Sequence, residues 1–247
     1  MDDTQVTEDR VLNGRVRLRQ KAGGYRAGMD AALLAAACDA APGQRVLEAG
    51  CGVGGALLAA AARRPGARFH GVERDADAAD LARGNAALNG LTDRVEISTG
   101  DIQTGFRALG LPVFDAVISN PPFFDDPGAL RAPSPAKTGA WMADGGLAAW
   151  TDFLLKAVRE GGTITLIHRA DRLADILALL APKAGSFKVR PVQPFADAPA
   201  KRVIVRAIKT GKAPLVLLPA LVLHERDGGQ HAAGAEAILR GEADLGW

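Results

Sequence analysis

Cysteine is nearly absent from this chain. Cys38 and Cys51 are the only two in 247 residues, too few for a disulfide framework and in keeping with a reducing compartment. Histidine is as sparse: His70, His168, His224 and His231 are scattered without metal-ligand spacing, so no metal is expected. No apolar run is long enough to cross a bilayer, since the longest, Leu215–Leu223, is interrupted by Pro219. The first nine residues, MDDTQVTED, are acidic and polar, the opposite of a signal peptide. A soluble, cytoplasmic protein with no membrane partner is therefore expected. Neither sign of charge dominates: 30 Lys and Arg against 28 Asp and Glu leave a net +2, which permits a nucleic-acid partner without demanding one. Internal repeats and low-complexity tails are missing too. A chain of this length buries roughly 70–75% of its unfolded surface and needs no staple.

What is present is a repeating order of strands and helices. Val16 and Leu18 alternate with Arg15, Arg17 and Arg19, as in a short strand with one basic face, while residues 1–10 read as frayed. Asp30 suits an N-cap for a helix over 31–40 that stops at Pro42-Gly43. Strands are then predicted at 45–49, 68–73, 94–98, 113–119, 163–168, 186–192, 201–208 and 215–224. The intervening helices are expected up to about 64 and over 76–89, 146–159, 171–181 and 231–240, with Asp75 as a cap and Asp171 as the first residue of its helix. This alternation implies right-handed crossovers and an α/β, doubly wound, mostly parallel sheet, with an antiparallel hairpin at its edge. Residues 1–42 read as a short N-terminal extension on a domain spanning 43–247. The Pro- and Gly-rich segment 121–146 is the one long irregular connection, a length often tied to function.

The first chemical motif is Glu48-Ala-Gly50-Cys-Gly52-Val-Gly54-Gly55, between a strand and a helix. It contains G-x-G-x-x-G, a weak dinucleotide signature, and also E-x-G-x-G-x-G, the pattern of class I S-adenosylmethionine (SAM) methyltransferases. Glu73 ends the next strand, 21 residues after Gly52, where a carboxylate accepts ribose hydroxyls of either cofactor. Asp101 follows the third strand and suits an adenine amino group, with Ile102 able to pack on the ring; an ordinary turn or helix cap is the alternative. Cys51 reads as a small loop residue, not a nucleophile.

Asn120-Pro121-Pro122-Phe123 ends the fourth strand. An oxidoreductase has no use for it, but methylation of a planar amino group does. That nitrogen's lone pair is delocalised and poorly nucleophilic. The Asn120 side-chain oxygen and the Pro121 carbonyl can accept both N–H groups and aim the lone pair out of plane, and Pro-Pro holds the two acceptors fixed. Phe123 offers a stacking face for the target base.

On these residues the chain resembles class I methyltransferases of the small-domain, N-P-P-[YF] type. It is most similar to the bacterial tRNA(Val) adenine N6-methyltransferases. Arg26-Ala-Gly28-Met29-Asp30-Ala-Ala-Leu-Leu resembles their G-T-D-x-x-L-L segment, and Asn120-Pro-Pro-Phe123-Phe124 their N-P-P-Y-[FY]. The likeness extends to Leu221-Val-Leu-His-Glu-Arg-Asp-Gly near the end. Phe123 stands for the commoner Tyr and Met29 for Thr. The resemblance implies SAM as cofactor, an RNA partner, namely a tRNA, and adenine N6 as acceptor. It assigns Asn120, Pro121 and Phe123 to the reaction. SAM would lie against Asp30, Glu48, Gly50, Gly52, Gly54, Glu73, Asp101, Ile102 and Asn120, and the substrate against Phe123, Phe124, Lys201 and Arg202. Asp30 is equally well a helix cap. Arg131 and Lys137 join Lys201, Arg202 and the N-terminal arginines as phosphate contacts, with solvated surface charge as the alternative. Trp141 and Trp150 read as core or loop anchors.

Other readings share parts of the pattern. A release-factor glutamine methyltransferase or a ribosomal-RNA guanine N2-methyltransferase would use the same motif, though the former usually carries a larger N-terminal helical domain. A nicotinamide-dependent oxidoreductase explains the glycines and Glu73 but leaves Asn120 idle. A catalytically silent SAM-binding RNA module would have no need of Asn120.

Overall fold

A computed structural model describes residues 6–22, 28–122, 146–226 and 231–247. Its first strands, β1 (Val6–Val11) and β2 (Val16–Lys21), form an antiparallel ribbon. The order continues with α1 (Met29–Ala37), β3 (Arg45–Ala49), α2 (Gly55–Arg63), β4 (Arg68–Glu73), α3 (Ala76–Leu88), β5 (Val95–Thr99) and β6 (Phe114–Ser119). It closes with α4 (Gly146–Ala157), β7 (Val158–Arg169), α5 (Leu173–Leu180), β8 (Ala184–Gln193), β9 (Arg202–Lys209), β10 (Val216–Leu217), β11 (Leu221–Val222) and α6 (Ala233–Arg240).

The main sheet runs β10-β8-β9-β7-β6-β3-β4-β5, with β11 also on β8. Strands β5, β4, β3, β6 and β7 are parallel, and β9 lies antiparallel between β7 and β8. The expected hairpin is therefore present, and the short parallel strands β10 and β11 cover its outer edge. The chain order reverses between β3 and β6, so their carboxyl ends flank the crevice where open α/β sheets take ligands.

Alternation along each central strand feeds two cores. Val46, Ala116, Ile118 and Ile167 pack against α1 and α2 residues such as Leu33, Leu34, Leu57 and Leu58. Leu47, Val117, Ile164 and Leu166 face Phe153, Leu154, Ile176 and Leu180 of α4 and α5. Both faces of the parallel strands are thus apolar, as a sheet covered by helices on each side requires. Leu12, Val16 and Leu18 of the ribbon belong to the first of these cores.

Three local expectations change. Residues 6–11 are a strand rather than frayed chain: they pair with β2 from Val6–Lys21 to Val11–Val16. Asp30 is not a cap, because α1 already begins at Met29 with Gly28 as N-cap and no side-chain cap bond. The helix expected from Asp171 starts later, at Leu173; Asp171 pairs with Arg169 and sits in a short 3-10 turn before α5. At Asp30 the Arg202 guanidinium competes for the carboxylate and offers a charge-assisted bond in place of one to a backbone amide. Asp75, by contrast, caps α3 as expected, accepting from the Asp77 and Ala78 amides at 3.0 and 3.2 Å.

Candidate active site

The glycine loop links β3 to α2, and its shape comes from alternating glycines in the left-handed region. Gly50 and Gly54 have φ of +71° and +88°. Gly50 has a second constraint: a Cβ there would lie 2.8 Å from the Trp150 ring. That indole donates to Ser119 Oγ at 2.7 Å, and Ser119 Oγ donates to the Ala49 carbonyl at 2.8 Å. Trp150 is thus the loop anchor expected, joining α4 to the ends of β6 and β3. The loop is pinned from the other side by the Val72 carbonyl, which accepts from the Gly50 and Cys51 amides at 2.8 and 3.1 Å.

Glu48 lies beneath this loop, 3% exposed. Burial pushes its carboxyl well above the usual carboxylate range; a bond from the Leu57 amide in the first turn of α2 opposes the shift, and the Glu73 charge adds to it. Its Oε2 is buried with no hydrogen-bond partner among the described residues. Cys51 is buried as well, and the same loss of solvent holds its thiol well above its ordinary value, against a role as a nucleophile.

Glu73 ends β4 and faces the loop. Its Oε2 accepts the Gly52 N–H at 2.9 Å and its Oε1 the Asp75 N–H at 3.0 Å. Asp101, after β5, accepts from the Gln103 amide at 2.9 Å and caps the 3-10 turn Ile102–Thr104. Ile102 is 8% exposed and packs in the second core with Val72 and Phe106. Asn120 and Pro121 follow β6, next to the end of β3, with Asn120 half-buried and Pro121 buried. Four consecutive strand ends of the sheet therefore gather Glu48, Gly50, Gly52, Gly54, Glu73, Asp101, Asn120 and Pro121 at one edge.

Other expected site residues fare differently. Phe123, Phe124, Arg131, Lys137 and Trp141, with Arg26 and Ala27 of the Arg26–Asp30 segment, lie outside the described residues. Lys201 is exposed at the same edge. Arg202 Nε reaches Asp30 Oδ2 at 3.0 Å, so two residues expected at separate ligands are partners of each other. The N-terminal arginines also have protein partners: Arg15 donates to the Gly241 carbonyl, Arg17 to that of Leu88, and Arg19 pairs with Glu8.

One residue went unnoticed in the sequence. Asn85 is fully buried on α3; it bonds both main-chain groups of Arg19 at 2.8 and 3.0 Å and the Val53 carbonyl at 2.9 Å. It thereby fastens β2 to the glycine loop. Its signal is an amide in line with Ala82, Ala86 and Asn89 on the apolar side of a helix.

Residues 24–131 match the methyltransferase small domain family. Over 160 residues the chain is 39% identical to a tRNA1(Val) (adenine(37)-N6)-methyltransferase of Porphyromonas gingivalis, covering 61% of each chain. It is 32% identical over 159 residues to a release factor glutamine methyltransferase of Caulobacter vibrioides, covering 60% of this chain and 53% of that one. The chain spans about three fifths of the length of the first curated relatives it matches. Among solved structures, a predicted O-methyltransferase from Agrobacterium tumefaciens superposes with a TM-score of 0.74 at 26% identity, over 87% of this chain and 98% of that one.

Proposed function

From a chain whose residues 24–131 carry a methyltransferase small domain within a class I methyltransferase fold, we propose an enzyme that methylates an exocyclic amino nitrogen, adenine N6 of a tRNA. The observation that carries this reading is the position of Asn120-Pro121 just past the end of β6, the strand next to Glu48 and the glycine loop. Acceptors for a planar amine then adjoin a site suited to a cationic nucleoside.

The residues present fit S-adenosylmethionine. A buried carboxyl with an unsatisfied oxygen, Glu48, suits a cationic ligand beside it. Glu73 already accepts two amides, yet each carboxylate oxygen keeps a further lone pair for a ribose hydroxyl. Asp101 is suited in the same way to the adenine amino group. When bound, the cofactor supplies an electrophilic methyl on a sulfonium sulfur. The chain's own part is orientation: the Asn120 side-chain oxygen and the Pro121 carbonyl accept the two N–H groups of the target amine and direct its lone pair. The amine would gain the methyl as the sulfonium's bond to it breaks, leaving a neutral thioether, and would give up one proton to water. Phe123 and Phe124 would stack on the base, and Lys201 would contact phosphate. In this reading residues 1–42 are an extension that braces the glycine loop through Asn85, and 43–247 form the catalytic domain.

Adenine is favoured over a glutamine side chain because two relatives at 39% and 41% identity are named for tRNA adenine, against 32% and 30% for two named for release factor glutamine. The glutamine reading keeps support from the Caulobacter relative, since a glutamine amide presents the same planar NH2. Nucleoside mass spectrometry of tRNA from cells with and without the gene distinguishes them. Loss of N6-methyladenosine from one tRNA is expected; an unchanged tRNA profile together with loss of methylglutamine would replace adenine by glutamine.

A further inference from the structure

The amino-terminal ends of the central strands, opposite the glycine loop, carry a row of arginines. Arg45 opens β3 and Arg68 opens β4, and the two are partners in the parallel register. Arg94 immediately precedes β5, whose Val95 pairs with Phe69, so it continues the row. Alternation turns Arg45 and Arg68 to the face that carries Leu47, Ala49 and Val72 of the second core. Like charges side by side on neighbouring strands repel, and the row is destabilising unless something of opposite sign meets it.

The chain supplies little of that sign. Among the described residues the Arg68 guanidinium has no hydrogen-bond or ion-pair partner. The Arg45 guanidinium lies over the Phe114 ring, 4.9 Å from its centroid, and reaches no carboxylate. Arg94 donates to the Ala61 and Arg64 carbonyls at the end of α2, at 2.7 and 3.4 Å. Two acids stand close by, each turned to another partner. Asp115 takes Arg159 at 2.7 Å and the Arg45 main-chain amide at 2.9 Å. Glu96 lies 3.5 Å from His70 Nδ1. Burial holds the His70 pKa below its ordinary value against the pull of Glu96, so the ring brings no positive charge near pH 7. The three arginines, with Glu96, His70 and Phe114, line a cleft of about 160 Å³. Its charged lining is thus three guanidiniums against one carboxylate.

We propose that this cleft is a ligand site separate from the glycine loop, and that it takes a phosphate group between the Arg45 and Arg68 guanidiniums. Planar guanidinium forks match phosphate oxygens two at a time. Arg45 is already held over Phe114, so part of the site is formed before the ligand arrives. A bound anion also removes the repulsion between the strands, so its binding stabilises the fold. The cleft lies at the opposite edge of the sheet from Glu48 and Asn120, a strand length or roughly 15–20 Å away. It takes no part in methyl transfer and does not depend on the methyltransferase reading. The phosphate can belong to a free nucleotide or to an RNA backbone, and the test separates the two.

Thermal unfolding at low salt is followed against inorganic pyrophosphate for wild type, Arg68→Gln and Glu96→Gln. Pyrophosphate is expected to raise the wild-type melting temperature, and Arg68→Gln to bind it about tenfold more weakly. Glu96 is exposed and opposes an anion, so Glu96→Gln should bind pyrophosphate more tightly than wild type, a gain that damage to the fold does not produce. No response in wild type, or an equal response in wild type and Arg68→Gln, overturns the proposal. Binding of tRNA then identifies the source. A salt slope smaller by about 0.7–0.9 in Arg68→Gln assigns the phosphate to the RNA backbone. An unchanged slope, with pyrophosphate binding weakened, assigns it to a free phosphate-bearing ligand. Affinity for S-adenosylhomocysteine should be the same in all three proteins; a loss of it in Arg68→Gln would contradict a separate site.

Discussion

Arg202 Nε lies 3.0 Å from Asp30 Oδ2, joining the start of β9 to the first turn of α1 across 172 residues of sequence. Both groups are largely shielded, with side-chain exposures of 30% and 16%, so the pair has more than the negligible worth of a surface bridge. Asp30→Asn and Arg202→Gln should each lower stability by about 1–3 kcal/mol. In a double-mutant cycle the two losses should be strongly non-additive. Lys201→Gln should leave stability unchanged but reduce the salt slope of RNA binding by about 0.7–0.9. Additive losses at Asp30 and Arg202 would mean that the pair is only a surface contact.

Glu48 gives a second expectation. Because its carboxyl is raised in the folded protein, the folded state holds a proton that the unfolded state releases above the ordinary value of 4.5. Stability contributed by the protonated group is therefore present at low pH and fades as pH rises. Glu48→Gln removes this dependence. It should raise the melting temperature of the cofactor-free protein at pH 8 and weaken S-adenosylmethionine binding at least tenfold. Calorimetry at pH 6 and 8 checks both.

His168 acts in the opposite sense. Its pKa falls from 6.5 to about 4 on folding, so between those values the unfolded chain binds a proton that the native chain does not. Stability is full above pH 6.5 and declines as pH falls toward 4, by about 3 kcal/mol in all. Denaturant titrations at pH 7, 5.5 and 4.5 should show this loss in wild type and a shallower one in His168→Gln.

Asn85→Ala would remove the partner of both main-chain groups of Arg19 and of the Val53 carbonyl in a partly buried setting. Unsatisfied buried groups cost about 1–3 kcal/mol each, and partial relaxation should bring the total to about 2–4 kcal/mol. Hydrogen exchange should accelerate in β2 and the glycine loop more than in α4 or α5.

The parallel sheet was legible because its strands are short apolar runs separated by glycines and capped helices. Asp75 and the predicted order at 45–49, 68–73 and 113–119 met their structural counterparts within a residue or so. The strand β1 was not legible, since Val-Thr-Glu-Asp-Arg-Val carries no buried face of its own and exists through pairing with β2. Asp30 was misread as a cap because a cap position is visible locally, whereas an arginine partner 172 residues away is not. The glycine loop and Asn120-Pro121 could be read because their chemistry is contiguous in sequence. Asn85 could not, because it works through Arg19 and Val53, which folding alone brings beside it.

The central claim is that Asn120 orients an amine for methyl transfer, and its most direct test is the single-turnover rate of Asn120→Ala with tRNA at saturating S-adenosylmethionine. A contact realised mainly in the transition state appears in rate and not in cofactor affinity. The account predicts a fall of about 100–1,000-fold, with S-adenosylhomocysteine binding and melting temperature close to wild type. Wild-type turnover by Asn120→Ala on the same tRNA would contradict it.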